Sequence, residues 1–391
     1  MVVHTEADAM ADLFFHVPQQ VLFGVDAINR IGSWMAPYGG RSIVVTESIL
    51  YEQGAIDRIQ NLLSRKDIEC IVFDEVVPNA TSSSVEDAVR LVKGGKVESV
   101  IGLGGVRALS TAKCVAMVGH GSQSIDDLLS GDQVAGEPLP YVEIPTTCRD
   151  PFLLSDEYLL VDSRDRTAKI RKAQESITKA VFLDPKLSTS LPAKYTATTM
   201  LDTMLHAVEG YLSARSNTLS EILFCRAIRT VKQTVLLGVK ELDIVKHRTA
   251  ASMAGFLTAL GLTMSKPGLG SALSYAINAR LMVPKSWVSS ILIPHILEFN
   301  TSIATDKIAH IAELLEADVS DLPPGDAAYK AVETARELIA SLELPGRLRD
   351  FELDLDDLVD SVDEVRGFDM MNYLPRAVSA EQIYDIVKAA F

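Results

Sequence analysis

The chain of 391 residues is poor in cysteine and in aromatic residues, and it contains no basic run. Its four cysteines are scattered without a Cys-x-x-Cys pair, which argues against a disulfide scaffold and against a zinc cluster. A net charge of -15 argues against binding to nucleic acid or to an anionic membrane. No apolar run is long enough to span a bilayer, and the acidic N-terminus lacks the pattern of a signal peptide. We therefore expect a cytoplasmic protein that acts on a small molecule.

The length and the 48% hydrophobic content favour two domains. In the first half, short apolar runs alternate with helical patterns, which indicates βαβ units and a parallel sheet. Strands are predicted at 21–24, 42–47, 70–73, 99–103, 141–145 and 157–161. From about residue 191 only helical periodicity is found. We predict a Rossmann-like α/β domain over residues 1–190 and an all-helical domain over residues 191–391.

The segment 201–213, LDTMLHAVEGYLS, places two polar residues in apolar surroundings. Asp202 and His206 are four residues apart, so on a helix their side chains lie on one face within reach of each other. A buried carboxylate and imidazole need a metal ion, a buried cation or hydrogen bonds. These residues alone leave the alternatives open, including a satisfied polar pair in a helical core.

A glycine loop follows the strand predicted at 99–103. Gly104 and Gly105 lie between that strand and a helix predicted at 108–118. In this setting backbone N–H groups and the helix N-terminus can bind a phosphate. Glycines also serve tight turns, so the pattern alone does not establish a cofactor site.

Further motifs extend over most of the chain. They are VTE at 45–47, PNAT at 78–81, GG at 104–105, AK at 112–113, IPTT at 144–147, LDP at 183–185, DTMLHAVE at 202–209, IPHILEFN at 293–300 and PR at 375–376. With them the chain resembles the iron-containing (group III) alcohol dehydrogenase family, relatives of dehydroquinate synthase and glycerol dehydrogenase. The resemblance implies an iron-alcohol-dehydrogenase-like fold and a dimer. It also implies NAD(P) in the first domain and a divalent metal in the second.

The metal site of that family is altered in this sequence. The family's ligands are an Asp and a His on one helix, matched by Asp202 and His206, and two later histidines. Counting without gaps places those histidines at Ser271 and Lys285, and a further family histidine at Tyr275. Serine and lysine are poor ligands for Fe²⁺ or Zn²⁺, and an ammonium group repels a cation. We therefore expect no bound iron or zinc, with Asp202 and His206 as remnant ligands.

The resemblance also implies a set of cofactor contacts. Arg107 stands in the altered glycine loop, where it can contact a phosphate. Glu47 follows the second strand and can bind ribose hydroxyls, which favours NAD over NADP because a 2′-phosphate would be repelled. The predicted cofactor-binding residues are Glu47, Gly104, Gly105, Arg107, Thr146 and Thr147.

We rank first a metal-independent NAD(P)-dependent alcohol or aldehyde oxidoreductase with Asp202, His206, Tyr275 and Lys285 as catalytic residues. Lys285 would replace the metal and polarise a substrate oxygen. Tyr275 would transfer the proton, its pKa lowered by the nearby cation. Arg149, with Ser271, would bind the substrate, and Arg149 and Arg107 favour an anionic one.

Two other hypotheses remain. In the first, the chain is a pseudoenzyme or partner subunit that forms a heteromer with a catalytic relative instead of a homodimer. In the second, it catalyses a changed reaction on the same scaffold, such as a lyase step or an oxidative decarboxylation. Each residue also has a structural alternative. Lys285 and Arg107 can point to solvent, Tyr275 can pack in a helix, Arg149 can pair with Asp150, and Cys148 can be a buried inert thiol.

Overall fold

The computed structural model describes residues 15–17, 20–76, 81–121, 124–132 and 136–391. Most of the PNAT motif, at 78–80, therefore lies outside the described residues. The first part of the chain forms a parallel six-stranded sheet with the strand order β1-β8-β5-β4-β2-β3. Strands β6 and β7 form a separate antiparallel pair. The strands are β1 (Gln20–Phe23), β2 (Arg41–Val45), β3 (Glu69–Phe73), β4 (Ser99–Gly104), β5 (Tyr141–Pro145), β6 (Glu157–Val161), β7 (Ala168–Lys172) and β8 (Thr178–Leu183).

The predicted α/β class is confirmed, and two strands were missed. β8 lies between β1 and β5 in the sheet. It was not predicted because Lys179 interrupts its short apolar sequence. β7 alternates lysine and arginine with smaller side chains and gains its strand partner only by pairing with β6. The strand predicted at 157–161 is present but lies outside the parallel sheet.

Helices cover the sheet and make up the second part of the chain, where no strand occurs in residues 193–391. The α-helices are α1 (Ile31–Met35), α2 (Ile49–Glu52), α3 (Ala55–Ser64), α4 (Ser82–Gly95), α5 (Val106–Val118), α6 (Ile125–Ser130), α7 (Ala193–Leu212), α8 (Thr218–Lys240), α9 (Val245–Leu262), α10 (Leu269–Leu281), α11 (Lys285–Asn300), α12 (Thr305–Leu314), α13 (Pro324–Ser341), α14 (Val359–Val365) and α15 (Ala380–Ala390). Short 3₁₀ helices lie at Ala27–Arg30, Ala36–Tyr38, Pro185–Ser188, Leu348–Phe351, Leu355–Leu358 and Asp369–Tyr373. In the described part of the chain no helix combines the length and apolar character needed to cross a membrane. The exact division at residues 190 and 191 stays a proposal.

The parallel sheet brings three loops to one edge. Because β2, β4 and β5 run in the same direction, their carboxyl ends meet there. Gly104 pairs in register with Pro145, and the Thr146 N–H donates to the Gly104 carbonyl at 2.9 Å. The glycine loop and the segment after β5 are thus hydrogen-bonded neighbours, facing the helical part of the chain.

A buried ion pair joins helix α5 to the central strand β5 near this edge. Lys113 of α5 lies 3.1 Å from Glu143 of β5, and its ammonium also donates to the carbonyls of Ser155 and Glu157. Burial raises the pKa of Glu143 to about 7, against the opposing effect of Lys113. The AK motif at 112–113 therefore ties the central sheet to the segment that leads into β6.

The segment after β5 is clamped between two helices of the second part. The Thr203 hydroxyl on α7 donates to the Cys148 carbonyl at 3.1 Å. On the other side Gly255 of α9 approaches so closely that an added Cβ would lie 2.0 Å from the same carbonyl oxygen. Burial raises the pKa of the Cys148 thiol, in agreement with an inert cysteine.

Gly255→Ala should displace the Cys148 segment, because the new methyl group meets backbone atoms that cannot rotate away. We expect a loss of about 1–3 kcal/mol in the free energy of unfolding, measured by denaturant titration. Gly94→Ala is the matched control, since Gly94 lies in α4 with no neighbouring atom within 4 Å of the added Cβ. The control should be neutral or stabilising by up to about 1 kcal/mol. Equal stability losses in both variants would contradict the proposed clamp.

Candidate active site

The buried helix α7 carries the central polar residues of the site. Asp202, His206 and Glu209 follow one another along one face, and each is at most 4% exposed. Their neighbours on the helix are apolar and pack in the main hydrophobic core. Polar side chains in such surroundings must find partners inside the protein.

Lys285, the first residue of α11, supplies that partner. Its ammonium forms an ion pair with Asp202 Oδ1 and lies 2.9 Å from His206 Nε2. The lysine is only 5% exposed, so the alternative in which it points to solvent is wrong. Of the partners that the sequence left open for Asp202 and His206, the structure supplies the buried cation.

The protonation states of the three residues follow from their contacts. Burial alone would raise the pKa of Asp202, but Lys285 and Arg149 outweigh it and lower the pKa to about 2. Burial and the adjacent Lys285 lower the pKa of His206 to about 3. An ammonium group cannot accept a hydrogen bond, so the neutral imidazole accepts one from Lys285 at Nε2. The cluster is therefore a carboxylate and a neutral imidazole bound to one ammonium.

Tyr275 of α10 lies against this cluster. The Lys285 ammonium is 4.6 Å from the centre of the tyrosine ring, and the Phe152 ring lies 5.9 Å away on a neighbouring segment. The buried Tyr275 hydroxyl has no hydrogen-bond partner among the residues that the structure describes. Burial, together with Asp202 and Asp150, raises its pKa well above the ordinary value. The predicted lowering is wrong, because the cation faces the ring and burial outweighs the effect of nearby charges.

Arg149 approaches Asp202 from the other side. Its Nη1 lies 3.5 Å from Asp202 Oδ2, whereas Lys285 contacts Oδ1. The Arg149 Nε is buried and finds no acceptor in the described ranges of the chain. Asp150 accepts the Phe152 backbone N–H at 2.8 Å instead of serving its neighbour. The structure thus directs Arg149 toward the Lys285 cluster.

Ser271 takes a different role from the predicted one. Its hydroxyl donates to Glu209 Oε2 at 2.5 Å, and the same carboxylate accepts the backbone N–H groups of Gly268 and Gly270. Since this hydroxyl is engaged in fixing the start of α10, the expectation of a substrate contact is not supported by its geometry. Glu209 was not identified from the sequence as a site residue, although its position seven residues after Asp202 places it on the same helix face.

The predicted cofactor residues come together at the carboxyl edge of the sheet. Gly104 has a φ of 144°, and a Cβ there would lie 2.8 Å from the Ala108 methyl group. Gly105 precedes α5, whose first turn has no side-chain cap, and its N–H lies 3.5 Å from Glu47 Oε2. The Thr147 hydroxyl oxygen is buried without a partner.

Arg107 does not point to solvent. Its guanidinium donates to Asn278 of α10 at 3.2 Å, so it bridges the glycine loop and the helical part. Burial and the neighbouring Arg149 lower the pKa of Arg107 to about 10. Asn278 was not identified from the sequence, because only the folded chain brings α10 to this loop.

The residues of the site fit a dinucleotide but not a divalent metal ion. The uncapped start of α5, with Arg107 and Thr147 beside it, fits the phosphates of a dinucleotide. A divalent metal does not fit the cluster on α7, because the Lys285 ammonium already contacts both Asp202 and His206. Across the described ranges there is no group of three or more histidine, cysteine or acidic residues suited to hold a metal ion.

The protein thus has two parts, a Rossmann-like α/β part with a parallel sheet and an all-helical part that faces it. Residues 18–185 match the model of the iron-containing alcohol dehydrogenases, and residues 196–391 match that of the C-terminal part of the same family. The chain belongs to the iron-containing alcohol dehydrogenase family and is an alcohol dehydrogenase-like oxidoreductase by membership. The resemblance found in the sequence is confirmed.

Several characterised relatives share this architecture. The chain is 22% identical to NAD-dependent methanol dehydrogenase of Bacillus methanolicus over 96% of its own length and 99% of the relative's. It is 26% identical to 1,3-propanediol dehydrogenase of Klebsiella pneumoniae over 85% of its length and 87% of the relative's. The structure of alcohol dehydrogenase from Oenococcus oeni matches with a TM-score of 0.91 at 20% identity, covering 97% and 100% of the two chains. The structure of sulfoacetaldehyde reductase from Bifidobacterium kashiwanohense in complex with NAD+ matches with a TM-score of 0.85 at 18% identity. The match covers 97% of this chain and 99% of the other.

The pH dependence of the folding stability should show that His206 is neutral in the folded protein. Between pH 6.5 and about 3 the unfolded chain binds a proton at His206 that the folded chain does not, so folding stability falls as the pH falls. The contribution is about 1.4 kcal/mol per pH unit at most. His206→Gln should be less stable than the parent at pH 7, and this difference should shrink on acidification.

Unfolding by urea at several pH values between 7 and 4 measures this difference. His120→Gln removes an exposed imidazole and serves as the matched control. If the difference in the free energy of unfolding between His206→Gln and the parent stays constant across that range, His206 does not stay neutral in the folded protein.

Proposed function

We propose that this protein is an NAD(H)-dependent oxidoreductase that interconverts a small alcohol and its aldehyde or ketone without a bound metal. The observation that carries the proposal is the Lys285 ammonium, held between Asp202 and His206 and facing the ring of Tyr275. The family relationship supports the reaction class. The names of the methanol and 1,3-propanediol dehydrogenases support small alcohols as substrates.

Lys285 acts as the electrophile of the proposed site. Of its three N–H groups, one serves Asp202 and one serves His206, which leaves one for a substrate oxygen. A fixed cation in water-poor surroundings stabilises negative charge that develops on that oxygen. Bound NAD(H) would supply the hydride acceptor or donor.

Tyr275 acts as the proton donor in the direction of aldehyde reduction. Its raised pKa keeps the hydroxyl protonated at neutral pH. The hydroxyl has no partner in the described part of the chain and is therefore available to donate to the oxygen of a substrate. Asp202 and His206 position Lys285 and set its charge.

The dinucleotide would occupy the carboxyl edge of the sheet. The uncapped first turn of α5, which follows Gly104 and Gly105, would offer its N–H groups to a phosphate. Thr146 adjoins this turn through its hydrogen bond to Gly104, and Arg107 and Thr147 offer side-chain contacts. Glu47 beside the loop favours ribose hydroxyls over a 2′-phosphate, so we propose NAD over NADP. The relative crystallised with NAD+ supports this choice.

A homodimer remains our proposal for the assembly. The second candidate is a catalytically silent subunit in a heteromer, favoured by the way Lys285, Asp202 and His206 satisfy one another without a ligand. The structure offers no observation that favours a lyase or a decarboxylase over these two.

Lys285→Ala and Tyr275→Phe should each lower kcat/KM for any alcohol or aldehyde that is turned over. We expect losses of roughly 100- to 1,000-fold for the lysine and roughly 100-fold or more for the tyrosine. Steady-state NADH absorbance measures both. Unchanged turnover in both variants would exclude the proposed mechanism.

Lys285→Ala leaves the buried Asp202 carboxylate with only the long contact to Arg149, which costs up to about 3–5 kcal/mol of stability. The double variant Asp202→Asn with Lys285→Met removes both charges and serves as the control for folding. It should recover most of the stability, measured by thermal unfolding, while remaining as inactive as Lys285→Ala. Recovery of activity together with stability would show that the lysine has only a structural role.

Calorimetric titration with NADH and NADPH, after elemental analysis of protein purified without chelator, tests cofactor and metal together. We expect NADH to bind more tightly than NADPH to protein with less than one equivalent of iron or zinc. Glu47→Gln should weaken NADH roughly tenfold and reduce the preference over NADPH. One full equivalent of iron or zinc would contradict the metal-free site, and absence of binding by both nucleotides would favour the silent subunit.

A further inference from the structure

We propose that Arg149 binds a carboxylate, or an equivalent oxyanion, placed one or two carbons from the reacting carbonyl of the substrate. This inference rests on the proposed function and names its substrate class, the short 2-oxo and 3-oxo acids and the matching hydroxy acids. Arg149 is then the specificity-determining residue of the site.

The hydrogen-bonding capacity of Arg149 is far from used. A guanidinium carries five N–H donors, and here Nη1 reaches Asp202 Oδ2 only at the long distance of 3.5 Å. The side chain is only 17% exposed, and its buried Nε has no acceptor among the described residues. A buried donor without an acceptor is unfavourable, and a ligand oxyanion would satisfy it.

The surrounding acidic residues do not serve Arg149 in place of a ligand. Asp202 is shared, because Lys285 takes its Oδ1. Asp150 accepts the backbone N–H of Phe152, and Glu47 faces the N–H of Gly105. Two cations therefore converge on one carboxylate, and the Nε of Arg149 is left as a donor for a second anion.

Neighbouring polar atoms indicate where the rest of such a substrate lies. Within the described part of the chain, the buried Tyr275 and Thr147 hydroxyls also have no hydrogen-bond partner, and they lie on segments that adjoin Lys285 and Arg149. Arg107, a third cation near the site, donates to Asn278. The unused donors therefore favour Arg149 for the anion and the Lys285–Tyr275 pair for the reacting oxygen.

The spacing of the two cations limits the length of the substrate. Lys285 and Arg149 contact the two oxygens of the same Asp202 carboxylate, so their charged groups are close neighbours. A molecule that uses both must carry its anion near its carbonyl. In the reduction the carbonyl carbon gains a hydride from NADH and its oxygen gains a proton, giving the hydroxy acid and NAD+. The carboxylate is unchanged.

Matched pairs of aldehydes test the inference through rates. Glyoxylate is compared with acetaldehyde, malonic semialdehyde with propanal, and succinic semialdehyde with butanal, in the holoenzyme with NADH. The parent should prefer the acid of the first two pairs by roughly 10- to 100-fold in kcat/KM. Arg149→Met should remove that preference, Arg149→Lys should retain part of it, and the preference in the longest pair should be smaller.

Calorimetric binding of malonate supplies a readout that does not depend on turnover. The parent should bind malonate, and Arg149→Met should bind it at least tenfold more weakly. Arg336→Met, which removes an exposed guanidinium paired with Glu298, is the matched control and should bind it as the parent does.

The outcomes separate this inference from the proposed function. Turnover of aldehydes with no preference for the acids, or with a preference that Arg149→Met retains, overturns the role of Arg149 and leaves the oxidoreductase intact. Malonate binding that depends on Arg149, without reduction of any aldehyde, supports the anion site and contradicts the oxidoreductase. Absence of both malonate binding and acid preference overturns the inference.

Discussion

The contact on which the site depends is the buried ion pair between Lys285 and Asp202. It joins α7 to the first residue of α11, where the helix dipole disfavours a cation. Two buried charges are costly to desolvate, and removing either one alone leaves the other poorly compensated. The position of α11 and the charge at the centre of the site are therefore set by the same contact.

Helix α7 orders a second helix in a comparable way. Glu209, one turn beyond His206, accepts the backbone N–H groups at the start of α10 and the Ser271 hydroxyl. A carboxylate at a helix N-terminus is stabilised by the dipole and by the unpaired N–H groups. Because α10 carries Tyr275, the carboxylates of α7 fix both the cation and the tyrosine of the proposed reaction.

The sequence predicted those parts of the molecule that depend on local pattern. The apolar strands β2 to β5 and the face that joins Asp202 to His206 follow from the spacing of residues along one segment. The direction of Ser271 toward Glu209 could not be found this way, because it depends on how α10 rotates against α7. The raised pKa of Tyr275 likewise reflects burial by several distant segments, and β8 owes its place to strands on both sides.

A lysine replaces a divalent ion only in part. It carries one positive charge, it donates hydrogen bonds where a metal accepts lone pairs, and its chain fixes it to α11 without dependence on metal supply. With half the charge, Lys285 alone would polarise a substrate oxygen less strongly than a divalent ion would. Arg149, on the other oxygen of Asp202, brings the positive charge around that carboxylate back to two. The proposed reaction and the proposed preference for an anionic substrate thus have one electrostatic origin, because the second cation both strengthens the field at the carbonyl and needs an anion of its own.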